Sequence, residues 1–155
     1  MIIDSNQAER EAVLNVAKLM ITAARTAPKA GGIDNITTMI ITGKEKNRIA
    51  DELEKIGKEK GPDFFIRDSQ NLRIADVVVL IGVKTEGEEW KSLKMIDLGI
   101  AIGSAVKIAS ILNIDNRIMY SVGVAAEEMG IIEGTILGIP LSVKGKNIFF
   151  DRKKI

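Results

Sequence analysis

Two lysines flank a glycine at Lys144-Gly145-Lys146, and two further cations, Arg25 and Lys29, bracket the end of an apolar periodic stretch. Paired cations beside backbone amides freed by glycine are chemistry that receives a phosphate. Each pair also has a plainer use: two lysines suit a solvated turn, and cations are favourable at a helix C-terminus through the macrodipole. The Gly31-Gly32 pair lets a backbone approach a flat ligand, or stops a helix at positive φ. Farther on, Gly123 opens a predicted short helix whose first amides could meet an acceptor edge, with Ser121 as the alternative N-cap. Trp90 and Tyr120 are the only Trp and Tyr, available for stacking or for core and interface packing. Asp97 and the Asp115-Asn116-Arg117 run are accounted for by helix capping and an Asp to Arg ion pair.

Absences narrow the chemistry further. The chain has 0 Cys and 0 His, which removes disulfides, thiolates, imidazole bases and the usual zinc or iron-sulfur ligands. No nucleophile and base pair of the kind a hydrolase or transferase needs is apparent. Redox chemistry carried by a flavin needs none, because the ring does the work while the protein orients and tunes it. The dinucleotide fingerprint is missing, since DVVVLIGV at 76–83 runs into KTEGEEW rather than into glycines that open a helix. Lys+Arg 22 against Asp+Glu 21 gives a net charge of +1, so no nucleic acid or anionic membrane partner is expected. The start, MIIDSNQAEREAV, turns polar too early for a signal peptide, and the longest apolar helix carries Asp97 and Lys107. The expectation is a soluble, cytoplasmic protein.

These residues need elements to position them. At 155 residues and 46% hydrophobic, the chain is expected to form one domain over 1–155. A helix is predicted from Asp4, with Asp4 as N-cap and Gln7 in capping-box position, and Ala8, Ala12, Val16, Leu19, Met20, Ala23 and Ala27 as its apolar stripe. Pro28 and Gly31-Gly32 end it. Strand 36–42 and a charged amphipathic helix 44–58 follow, broken by Gly61-Pro62. Segment 76–83 reads as a central strand covered on both faces. The helix from about Leu93 is rich in small residues, and its internal Gly99 and Gly103 each cost about 1 kcal/mol against Ala. A second helix at short distance, in this chain or another, is the expected compensation. Strand 117–121, helix 122–129, strand 135–143, a turn at 144–147 and a last strand 147–151 complete the order, the apolar 148–150 being free to extend a partner's sheet.

Residues 96–152, from IDLGIAIGSAVKIASILN through DNRIMYSVGVAAEEMG to GTILGIPLSVKGKNIFFDR, resemble the C-terminal half of a family of uncharacterised prokaryotic proteins described as containing a ferredoxin domain. That family carries a cysteine-rich segment where this chain has KTEGEEWKSLK at 84–94, so no iron-sulfur cluster is expected. More distantly, ITAARTAPKAGGIDNITTMIIT at 21–42, DVVVLIGV, the Asp97 helix, Tyr120-Ser121-Val122-Gly123 and ILGIP with its lysines are similar in order to the nitroreductase-like flavoproteins. That resemblance implies an α+β sandwich with a central mixed sheet and a long core helix, forming a homodimer that binds flavin mononucleotide (FMN) at the subunit boundary. It implies ligand contacts from Arg25, Pro28, Lys29, Ala30, Gly32, Ser121, Val122, Gly123, Lys144 and Lys146, and hydride transfer from a nicotinamide cofactor to a small electron acceptor. The Arg-Ser-Arg segment that grips the phosphate in those proteins is absent, and their Asn and Gln-Pro-Trp positions read GIDNI here. The competing expectation is therefore a non-catalytic dimeric ligand-binding or assembly domain that has lost the cofactor.

Overall fold

A computed structural model of the chain describes residues 1–87 and 89–151. Its centre is strand β2 (Val77–Val83), in which every residue is buried. An unbroken apolar run of this kind needs cover on both faces and hydrogen-bonding neighbours on both edges. Strand β1 (Ile36–Thr42) pairs along one edge, with Ile36 opposite Val83, and β4 (Thr135–Ser142) along the other, with Val77 opposite Leu141. A two-residue strand β3 (Asp115–Asn116) adds to β4, giving the order β1-β2-β4-β3. All these pairings are antiparallel, where a mixed sheet was expected.

Alternate side chains of β2 face different helical layers. Val77, Val79, Ile81 and Val83 pack with α1 (Ser5–Thr26) and α4 (Lys91–Ile111). Val78 and Leu80 pack with α2 (Gly43–Glu59), α3 (Phe64–Ile74) and α5 (Tyr120–Glu128). Asp4 caps α1 by accepting from the Gln7 amide at 2.9 Å, but the Gln7 side chain turns to Glu11, so only half a capping box forms. The buried stripe of α1 is Val13, Val16, Ala17, Met20 and Ala24; Ala8, Ala12 and Leu19 are exposed, so the expected stripe is rotated. Helix α3 was not foreseen, because two of its four buried positions are the polar Asp68 and Ser69, which hide the apolar period.

Two predicted strands are corrected. The 117–121 segment reaches the sheet only through a bridge from Met119 to Gly138, and α5 already starts at Tyr120. Residues 147–151 form a turn, in which the Asn147 side chain accepts from the amides of Phe149 and Phe150. Phe149 is buried and Ile148 half-buried, so this tail is not a free strand for a partner's sheet. The expected Asp115 to Arg117 ion pair also fails to form among the described residues. Arg117 donates to the Phe149 carbonyl and lies 5.1 Å from the centre of the Phe150 ring.

Helix α4 carries apolar residues on more than one face, and α1 takes only the stripe of Leu98, Ala101, Ile102, Ala105 and Ala109. Gly99 and Gly103 face away, with nothing within 4 Å of where a Cβ would stand. The close helix contact expected for them is therefore not made within the chain. Two other glycines do carry close contacts. A Cβ on Gly123 of α5 would lie 1.8 Å from the Ile136 carbonyl oxygen, and one on Gly138 would lie 2.2 Å from Val122 Cγ1. No described helix is long and apolar enough to cross a membrane. Because the β4 backbone cannot give way, Gly123→Ala should lower unfolding free energy by about 3 kcal/mol. A denaturant titration checks this, with Gly103→Ala as the control: its Cβ meets nothing, and the helix should gain up to about 1 kcal/mol instead of losing stability.

Candidate functional site

The antiparallel register gives the sheet two distinct ends. At one end stand Ile36, Val83 and Thr135, and at the other Thr42, Val77 and Leu141. Around the first end, the loop after α1, the loop after β2 and the first turns of α4 enclose a cavity of about 480 Å³. Its walls include Ala30, Gly31, Ile33 and Asn35 from the first loop, Glu86, Gly87, Glu89 and Trp90 from the second, and Leu93, Lys94 and Asp97 from α4. Backbone freedom shapes both loops: Gly31 and Gly32 have φ of 62° and 68°, and Gly87 has φ of 78°.

Two polar contacts hold the first loop in place. Asp97, buried in the second turn of α4, accepts from the Ala30 amide at 3.0 Å. Arg25 donates to Asp34 Oδ2 and to the Ile36 carbonyl, both at 2.6 Å, and the Ile36 amide donates to Asp34 Oδ1. Burial works to raise the Asp34 pKa, but the bonds from Arg25 and Ile36 and the charges of Arg25 and Lys29 outweigh it and hold the carboxyl below its usual range. The clasp is thus intact above the ordinary carboxylate pKa and is lost as pH falls through the lowered value.

The structure divides the ten residues expected to form one site into three places. Arg25 in the last turn of α1 stands beside Pro28, Lys29, Ala30 and Gly32 in the loop that follows, and Ala30 lines the cavity. Arg25 is spent on Asp34 and Ile36, while Lys29 donates to the Arg25 and Ala27 carbonyls, the use expected of a cation at a helix C-terminus. Ser121, Val122 and Gly123 are buried within α5 on the opposite face of the sheet. Ser121 is no N-cap; it lies inside the helix and donates from Oγ to Asp68 Oδ2 at 2.6 Å, beside the Arg67 to Asp68 ion pair. Gly123 likewise lies inside the helix rather than opening it.

Lys144 and Lys146 follow the far end of β4, about 23 Å from the cavity end at the rise of an extended strand. Lys144 pairs with Asp76 at 2.6 Å, and Lys146 is exposed, 3.9 Å from Asp151. Within one chain, therefore, these lysines and the first loop do not meet. Trp90, Glu86, Glu89, Leu93 and Lys94 were not foreseen as one group; the signal was a lone Trp in a polar connection between an apolar strand and an apolar helix.

The Asp97 to Ala30 bond joins the two walls of the cavity, so its removal should loosen the loop. Asp97→Ala leaves the part-buried Ala30 amide without its acceptor, an effect of about 1 kcal/mol. Hydrogen exchange at Ala30 should accelerate accordingly, and Asp97→Asn, which keeps an acceptor oxygen, should recover part of the protection.

An uncharacterized protein of Archaeoglobus fulgidus is 36% identical to this chain, covering 98% of each. Its alignment runs over 181 residues, longer than the 155 here, so the relative carries residues with no counterpart in this chain. Among solved structures, the FMN-dependent nitroreductase NfnB of Mycobacterium smegmatis in complex with NADPH superposes with a TM-score of 0.67, at 11% identity over 85% of this chain and 78% of that one. The NADPH:FMN oxidoreductase of Vibrio harveyi complexed with NAD+ gives a TM-score of 0.64 at 13% identity, and this chain covers 60% of its length. An FMN-dependent nitroreductase of Clostridium difficile gives 0.61 at 16% identity, over 85% of this chain and 76% of that one. The fold is therefore the α+β sandwich of the nitroreductases. Residues 91–152 match a family described as uncharacterized proteins containing a ferredoxin domain, and with a relative so similar along its whole length, this chain belongs to that family.

Proposed function

We propose that the protein works as a homodimer that holds FMN where two copies meet, takes hydride from a nicotinamide nucleotide and passes it to a small electron acceptor. The observation that carries this reading is the fold shared with an FMN-dependent nitroreductase along 85% of the chain. Bound flavin supplies the ring that accepts and releases hydride. The chain supplies binding, orientation and exclusion of water, tasks that need neither His nor Cys.

The residues fit the flavin only as a pair of chains. Helix α4 runs about 31 Å, from the cavity end to the β3 turn beside the far end of β4. Its outward stripe joins Gly99 and Gly103 to the exposed Ile96, Ile100 and Ile111, apolar area that a soluble monomer gains nothing by showing to water. Two α4 helices crossing antiparallel on a two-fold axis bring the 27–35 loop of one copy toward Lys144 and Lys146 of the other. In that arrangement the lysines take the phosphate, with Arg25 and Lys29 as flanking charge. Pro28, Ala30 and Gly32 offer backbone to the ring, whereas Ser121, Val122 and Gly123, buried within α5 on the opposite face of the sheet, take no part in this arrangement.

A second reading, a dimeric binding or assembly domain without catalysis, is favoured by one observation. Arg25 and Lys144 are already paired internally, with Asp34 and Asp76. A flavin titration followed by absorbance and fluorescence decides between them. The oxidoreductase reading expects uptake of one flavin per subunit, with affinity reduced about tenfold by Lys144→Ala with Lys146→Ala, the size of effect due to part-exposed charge contacts. A protein that ignores added flavin leaves the second reading, and unchanged affinity in the double variant removes the lysines from the site. Gly103→Leu should yield a folded monomer by light scattering, because the space around the Gly103 Cβ position is open within its own chain; a variant that stays dimeric excludes the α4 interface.

A further inference from the structure

We propose that the cavity at the start of α4 is selective for a planar organic cation of one or two rings. This deepens the flavin reading by naming the class of small molecule admitted beside the ring, and it rests on that reading for turnover but not for binding.

Size and wall chemistry come first. At about 480 Å³ the cavity lies within the range that encloses small organic ligands. Ile33, Leu93 and Trp90 make its apolar walls. Trp90 sits at φ 65° and is 67% exposed. The left-handed region costs a residue with a side chain roughly 1–2 kcal/mol, and a bulky residue held there on the surface gains nothing from the core in return. What the conformation achieves is an indole in the cavity wall.

Charge selects among flat ligands. Glu86, Glu89 and Asp97 line the space against Lys94 as the only lysine among its lining residues, and the Lys94 ammonium donates to the Glu86 carbonyl oxygen at 3.1 Å. The α4 N-terminus adds about half a positive charge, too little to reverse the carboxylate excess. Arg25 is matched by Asp34, and Lys29 is turned onto the carbonyls that end α1. A phosphate or carboxylate here meets like charge. An aromatic cation meets an indole face and carboxylates, the combination that holds such ions elsewhere.

The only Trp in the chain is the one in the cavity wall, so intrinsic fluorescence reports the site directly. The intact protein is titrated with N-methylquinolinium and, separately, with naphthalene-2-sulfonate, an anion of the same two-ring size. Saturable quenching by the cation and only linear, collisional quenching by the anion is expected. Cation affinity should fall about tenfold in Glu86→Gln with Glu89→Gln, as for two part-exposed charge contacts, and should weaken with added salt in the unaltered protein. Equal quenching by both probes, or cation affinity indifferent to both the variant and salt, overturns the proposal. Flavin uptake is measured on the same samples. Saturable cation binding without flavin uptake keeps this inference and removes the flavin reading, while flavin uptake without saturable cation binding does the reverse.

Discussion

Strand β2 passes through the molecule with all seven residues, Val77–Val83, out of reach of water. Each fully buried aliphatic side chain there contributes about 1.5–3 kcal/mol, but only if both faces and both edges of the strand are covered. The edges are met by β1 and β4, and the faces by α1 with α4 on one side and α2, α3 and α5 on the other. The candidate site hangs on that arrangement. The connections at the Val83 end of the strand become the walls of the cavity, and those at the Val77 end carry Lys144 and Lys146.

Glycine serves opposite purposes in the two helical layers. Gly123 and Gly138 are sites where α5 meets the β4 backbone so closely that no side chain fits. Gly99 and Gly103 sit inside a helix as Gly123 does, yet they look outward into open space. The difference follows from α4 carrying apolar residues on more than one face while α1 covers only one of them. What remains is an outward stripe of small and apolar residues, Ile96, Gly99, Ile100 and Gly103, followed by the exposed Lys107.

The charges sort by end as well. Acids are used as fasteners: buried or half-buried Asp97 on the Ala30 amide, Asp68 beneath Ser121 and Arg67 and Asp76 beneath Lys144, and the exposed Asp34 beside Arg25. The cavity end keeps a carboxylate excess from Glu86 and Glu89, whereas the far end keeps lysines. A ligand with a phosphate at one end and an aromatic ring at the other would suit such a polarity only if it bridged two copies.

The sequence alone determined the elements whose signal is local. The β-branched run of β1, the unbroken apolar run of β2, the amphipathic α2 and the length of α4 are each encoded by the spacing of neighbouring residues. Composition was equally decisive about chemistry, since a chain without Cys or His has no thiolate or imidazole whatever its shape. Helix α3 escaped because Asp68 and Ser69 break its apolar period, and the 147–151 segment looked like a strand because Ile148, Phe149 and Phe150 are strand formers when read without Asn147 folding them into a turn. Only the tertiary structure could decide that Asp97 reaches Ala30, that Ser121 answers Asp68, which glycines meet a backbone, and that the two groups of cations lie at opposite ends of the sheet. Periodicity says which face of an element is apolar. Which distant residue stands opposite that face depends on how whole elements register against one another, and that is settled by packing.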